Sequence, residues 1–188
     1  MAMKNLGVII VLVLHVMGGV LSAQPVRWEV RTGQIEFVSE APLEIIKASS
    51  GALKGLLEAD SRRFAFSVPM SSFEGFNSPL QREHFQENYL EIGAHPDATF
   101  SGKIIEPVDL TEPGITTIRA KGIFTIHGVE QERIIRVNLE HSDGQLFATC
   151  SFSVLLSEHQ IRIPRIVNQK IAETIQVDLR ASFEIQEE

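Results

Sequence analysis

Residues 118–152 read IRAKGIFTIHGVEQERIIRVNLEHSDGQLFATCSF. The segment carries two X-Gly signals, His127-Gly128 and Asp143-Gly144. Two-residue hairpin loops favour glycine because their central residues take positive φ, so the segment predicts a meander of antiparallel strands. Counting symmetrically outward from the first turn sets Ile126 beside Val129, Ala120 beside Ile135 and Ile118 beside Val137. The same count from the second turn sets Val137 beside Cys150 and Ile135 beside Phe152. Side chains alternate between the two faces of a strand. Both registers therefore place one apolar set on one face: Ile118, Ala120, Ile135, Val137, Leu139, Ala148, Cys150 and Phe152.

Outward from the meander, alternation recurs. On the N-terminal side Trp28, Val30, Ile35 and Phe37 bracket Gly33, which predicts an opening strand with a kink or bulge. Residues 41–49, APLEIIKAS, read as a helical turn or two, and Leu53, Gly55 and Leu57 alternate after them. Phe64, Phe66, Val68 and Met70 form a clearer strand that ends near Pro69. Ser78-Pro79-Leu80-Gln81 is a helix start, with Ser as N-cap, Pro at the first helical position and Gln returning the capping bond. That helix is expected to reach about Leu90 and to lay Leu80, Phe85 and Tyr89 or Leu90 on the sheet. Ala98, Phe100, Gly102 and Ile104 begin the next strand. On the C-terminal side the pattern weakens from Ser157 to Ile166, and Pro164 argues against a central strand there. Ile175, Val177, Leu179, Ala181, Phe183 and Ile185 then alternate without interruption. About eight short strands with one inserted helix point to an all-β sandwich or barrel.

The first 23 residues are set apart from this domain. Lys4, an apolar run from Leu6 to Val16, Gly18-Gly19 and Leu21-Ser22-Ala23 have the layout of a secretory signal peptide, with cleavage expected after Ala23. The alternative is an uncleaved anchor, but the run is shorter than the ~20 apolar residues of a spanning helix. Residues 24–188 then form one domain, large enough to build a core without disulfides. Cys150 is the only cysteine and lies on the apolar face of its strand, which reads as a small buried hydrophobe. The net charge is −7, and Lys and Arg are scattered, which disfavours nucleic acid as a partner.

The inward apolar set is the candidate binding surface: Phe66, Val68, Phe100, Ile118, Ala120, Phe124, Ile135, Val137, Phe152, Val154, Leu179 and Phe183. Small residues lie among them, at Gly55, Ala98, Gly102, Ala120, Gly122, Ala148 and Ala181. These either let large neighbours fill a solid core or leave a hollow, and a barrel of about eight strands is wide enough for one apolar ligand. Arg133 also faces inward, opposite Gly122 on one side and Val154 on the other. A charge there must be paired, reach the rim or contact a ligand headgroup.

Two segments carry a family resemblance. HFQENYLEIGAHPDATFSGKI, with His84-Phe85, Tyr89-Leu90, His95-Pro96 and Thr99-Phe100, resembles the helix-to-strand motif of the YceI-like family. KGIFTIHGVEQERIIRVNL, from Lys121 to Leu139, resembles the same family's Gly-x-Leu-Thr-Ile-x-Gly-Val hairpin. The resemblance extends over nearly all of residues 24–188. It implies an extended eight-stranded antiparallel lipocalin-like barrel enclosing a polyisoprenoid, an isoprenoid quinone or a fatty acyl chain, in an exported, periplasmic or secreted protein. The chain departs from the family where an Arg-Asp pair commonly precedes the His-Leu; here the residues are Gln81-Arg82-Glu83-His84.

Three functions follow. The first is a lipid carrier, which is not an enzyme and holds no cofactor beyond its bound lipid. The second is a partner-binding module with a filled barrel, in which Phe73 and Phe76 of SSFEGFN either cover the barrel end or meet a partner. The third is a hydrolase or isomerase at the barrel mouth, drawing on His84 or His159 with Glu83 or Glu158. No hydrolase motif and no metal-ligand spacing supports it, so no catalytic or metal-binding set is expected. A homodimer through an edge strand or the helix is compatible with the sequence.

Overall fold

A computed structural model describes residues 26–186, so the expected signal peptide lies outside the described residues. Nine strands form one antiparallel sheet: β1 (Arg27–Glu40), β2 (Ile45–Ser50), β3 (Lys54–Glu58), β4 (Arg63–Pro69), β5 (Asp97–Ile104), β6 (Gly114–Ile126), β7 (Val129–Ser142), β8 (Gln145–Leu155) and β9 (Thr174–Ile185). Strands β3 to β9 follow one another in order, and β1 pairs with both β3 and β9, so eight strands close a barrel. The ninth, β2, lies on the same edge of β1 as β3 but farther along, with Ile35–Glu40 of β1 facing Ser50–Ile45.

Of residues 41–49, expected to form a helical turn, those from Ile45 onward instead belong to the strand β2. Ile46, Ala48 and Ser50 are buried while Ile45 and Lys47 are exposed, an alternation that two adjacent isoleucines conceal in the sequence. Pairing with the long β1 decides the local conformation, because β-branched residues fit a pleated surface. The outer edge of β2 is protected: Ser49 and Glu74 exchange backbone hydrogen bonds of 2.8 and 2.9 Å, and Asn77 Nδ2 donates to the Ile45 carbonyl at 3.0 Å.

The expected irregularity in β1 is a bulge at Arg31. The register against β9 shifts between Val30 and Thr32, so the inward set changes parity from Trp28 and Val30 to Gly33, Ile35 and Phe37. In the meander, β6 and β7 pair as the sequence predicts from Ile126–Val129 through Ile118–Val137. The β7–β8 ladder is shorter than predicted. It runs only from Ser142–Gln145 to Asn138–Thr149, so Val137–Cys150 and Ile135–Phe152 are not ladder pairs. Beyond that point a 3₁₀ turn, Leu156–His159, packs against β7. Its His159 Nδ1 donates to the Val129 carbonyl at 3.1 Å, and Gln131 Nε2 of β7 donates to the Glu158 carbonyl at 2.9 Å.

The helix α1 spans Pro79–His84 and continues as a π-helical turn, Phe85–Tyr89, rather than as one α-helix to Leu90. Ser78 caps it, accepting from the Gln81 amide at 3.2 Å. Gln81 Oε1 accepts from the Asn77 amide instead of the Ser78 amide, because Nε2 of the same side chain is drawn to Glu44 at 3.0 Å. Leu80 is exposed rather than laid on the sheet, whereas Leu90 is buried. No helix among the described residues is long and apolar enough to cross a membrane.

Candidate ligand-binding site

The barrel differs between its ends. At one end Trp28, Leu57, Leu146 and Phe183 are almost fully buried, and the Trp28 and His141 rings stand edge to face with centroids 5.3 Å apart. At the other end α1 and its π turn lie across the opening. Phe37, Phe73, Phe76 and Phe85 form an aromatic cluster there, with centroid separations from 5.0 to 6.0 Å. Phe73 and Phe76 thus pack over the barrel end, which is the first of the two placements considered for SSFEGFN.

Between the ends lie two apolar cavities. The larger, about 400 Å³, sits under the helix and is lined by Phe37, Ile46, Met70, Phe85, Tyr89, Leu90 and Ile126, and by Ile171, Ile175 and Val177 opposite. The smaller, about 120 Å³, lies above the Trp28 end and is lined by Leu57, Phe64, Phe66, Phe100, Ile118, Ile135, Val137 and Phe183. Ile35, Val68, Ala98, Phe124, Phe152 and Leu179 line both, so the cavities meet at a waist where Phe124 and Phe152 stand edge to face, 5.9 Å apart.

Each apolar position predicted from alternation borders one of these spaces. Phe66, Phe100, Ile118, Ala120, Ile135, Val137 and Phe183 line the smaller cavity, Val154 lines the larger, and Val68, Phe124, Phe152 and Leu179 line both. Some inner glycines serve packing rather than the hollow. A Cβ on Gly55 would lie 2.0 Å from Phe66 Cδ1, so the absent side chain is where the Phe66 ring rests. Cys150 lines the smaller cavity, and burial pushes its thiol up to about 11, as an inert thiol requires.

The polar groups divide differently from the prediction. Arg133 does face Gly122, but its guanidinium donates to Glu158 Oε2 at 2.6 Å and it borders neither cavity. With β8 diverging before Val154, the 3₁₀ turn supplies its partner instead. The mouth of the larger cavity is bordered by Ser39, Glu44, Gln81, His84 and Lys170. Glu44 already accepts from Gln81 and from Asn77 Nδ2, the latter at 3.2 Å. Ser39 continues the inward row of β1, but alternation cannot find the other four, because they lie outside the strands, in segments that fold over the barrel.

The residues considered for catalysis are not assembled. His84 is exposed at the mouth, whereas His159 is fully buried with its ring edge to face with Phe124 at 5.3 Å. Burial holds the His159 imidazole below its ordinary pKa, so the ring is neutral, with its proton on the Nδ1 that bonds Val129. Glu158 is engaged by Arg133, and Glu83 is exposed on α1.

A family model described as the YceI-like domain matches residues 24–183. No curated protein matches the sequence of this chain. Among solved structures, a polyisoprenoid binding domain from Saccharophagus degradans, implicated in plant cell wall breakdown, is 15% identical with a TM-score of 0.72, covering 85% of this chain and 98% of its own. BcnA of Burkholderia cenocepacia is 12% identical with a TM-score of 0.67, over 80% of this chain and 95% of its own. A YCEI protein of Campylobacter jejuni is 13% identical with a TM-score of 0.54, over 98% and 94%. At these identities the likeness is one of fold.

Proposed function

The chain belongs to the YceI-like family, and from that premise we propose that it is an exported carrier that encloses the apolar chain of an isoprenoid or other long lipid. The observation that carries this reading is the pair of joined cavities, which is lined almost wholly by aliphatic and aromatic side chains. The larger falls within the ~300–1,000 Å³ of small-molecule sites. Each enclosed methylene contributes about 0.8 kcal/mol, so affinity rises with chain length without polar contacts.

The lipid tail enters past α1, passes the Phe124–Phe152 waist and ends above Trp28. A polar headgroup remains at the mouth beside Glu44, Gln81, His84 and Lys170. A headgroup at Arg133 would instead have to compete with Glu158 for the guanidinium. Binding of this kind selects length and shape more than headgroup, and it calls for no catalytic residue. Export, to the periplasm or beyond, is supported by the leader-like layout of residues 1–23. Titration with prenols of increasing length tests the reading. Affinity is expected to rise with each unit until the smaller cavity is filled, and equal affinity for short and long chains would contradict it.

A further inference from the structure

Three side chains that the cavities do not use converge outside them. Glu91, His95 and His127 each offer one ligand atom, and these atoms all lie within 4.8 Å of one another. The local structure accounts for the convergence. Glu91 leaves the π turn with a φ of 46°, and its carbonyl accepts from the amides of Ala94 and His95 at 2.8 and 3.0 Å. This single turn places residues 91 and 95, four apart, on one side. His127 comes from the β6–β7 hairpin, where it takes a φ of 53° ahead of Gly128. A Cβ on Gly128 would lie 2.4 Å from His95 Cε1, so the glycine makes room for that imidazole. The two imidazole rings stand edge to face at 5.3 Å.

The partner of His127 fixes which ring nitrogen is the donor. Its Nδ1 lies 3.0 Å from the His159 carbonyl, which only accepts, so Nδ1 carries the proton and donates it. The neutral ring then keeps its lone pair on Nε2, and that atom is 3.6 Å from Glu91 Oε2. Metal-bound histidines are held in this way, with one ring nitrogen on a carbonyl and the other on the ion.

We propose that Glu91, His95 and His127 form a site for a divalent transition ion of the zinc type. Two imidazole nitrogens and one carboxylate oxygen favour such ions over magnesium or calcium, which take oxygen ligands. Zinc bonds of ~2.0–2.2 Å draw the three atoms slightly closer than they stand, which the exposed Glu91 side chain accommodates, and leave a fourth position for water. The ion joins the β6–β7 tip to the exit of the helical segment. Ile126, just before His127, and Leu90, just before Glu91, both line the larger cavity, so the ion is a clasp on the outside of that cavity's wall. Binding of the ion does not depend on what the cavity holds.

The test uses the full chain made without an affinity tag, stripped with chelator and titrated with Zn²⁺ and with Co²⁺ by calorimetry and visible absorption. The expected result is one ion per chain, a cobalt spectrum of low coordination number, no competition from excess Mg²⁺, and a rise in Tm on adding zinc. His95→Ala and His127→Asn, the latter keeping a residue that tolerates positive φ, are each expected to weaken binding more than ~100-fold, beyond the ~10–100-fold cost of losing a supporting contact. Glu87→Gln, on the same exposed segment, is expected to bind as wild type. Should one histidine variant fail to fold, as judged by circular dichroism, the other decides. No uptake of zinc at micromolar concentration would leave only the contact between Glu91 and His127 and would overturn the proposal. So would undiminished binding by both histidine variants.

Discussion

The two ends of the barrel are built from the same alternation and come out opposite. Near the Trp28 end, alternate residues of β1, β3, β8 and β9 meet one another, and Trp28, Leu57, Leu146 and Phe183 close the interior. Under α1 the same strands continue, but β7 and β8 have parted and β2 has replaced β3 beside β1. The inward side chains there face a hollow, and what closes it is a helix and a phenylalanine cluster. An apolar stripe specifies which face is inward. Whether the space behind it is filled depends on the elements that cross the end.

Truncation at each end tests that contrast with the largest expected effect. Trp28→Ala is expected to cost ~3–5 kcal/mol of stability in a denaturant titration, because a closed end must tolerate the void. Leu80→Ala, exposed at the mouth, is expected to stay within ~0.5 kcal/mol of wild type while weakening lipid retention. Equal stability losses would show the ends to be equivalent. The waist offers the next test. Ala98→Phe adds bulk where the cavities join, at an overpacking cost of ~1–3 kcal/mol. It is expected to abolish the preference for long prenols while sparing short ones, and a retained preference would place the tail elsewhere.

A smaller effect is expected from pH. His159 is buried and neutral near the waist, with a folded-state pKa below its ordinary 6.5, chiefly because of burial. The unfolded chain takes up a proton that the folded ring refuses. Stability is therefore fully present above 6.5 and is lost as pH falls from there through the lower folded value. His159→Gln, which keeps a donor for Val129, is expected to flatten the stability profile between neutral and mildly acidic pH. An unchanged slope would assign the acid sensitivity to another group.

Much of this contrast is legible in the sequence, and the missing part has a physical cause. His127-Gly128 and Asp143-Gly144 fix both hairpins, and the parity break around Gly33 marks the β1 bulge. Alternation alone finds the cavity lining from Phe66 to Phe183. It does not find Ile46, because β2 becomes a strand only through β1. Nor does it find the polar mouth, because Glu44, Gln81 and Lys170 come from segments far apart in the chain. Arg133 illustrates the same limit: turn geometry turns it inward, but the end of the β7–β8 ladder and the arrival of Glu158 decide what it touches. His95 and His127 carry no spacing signal, since a strand and a hairpin separate them before the fold returns one to the other.

Whether the joined cavities hold a lipid chain is decided by purifying the full chain from an exporting host, extracting it with organic solvent and identifying the extract by mass spectrometry. About one long isoprenoid or acyl lipid per chain is expected, and it is lost in Ala98→Phe. An empty extract from a folded protein that also takes up no quinone or prenol would contradict that expectation.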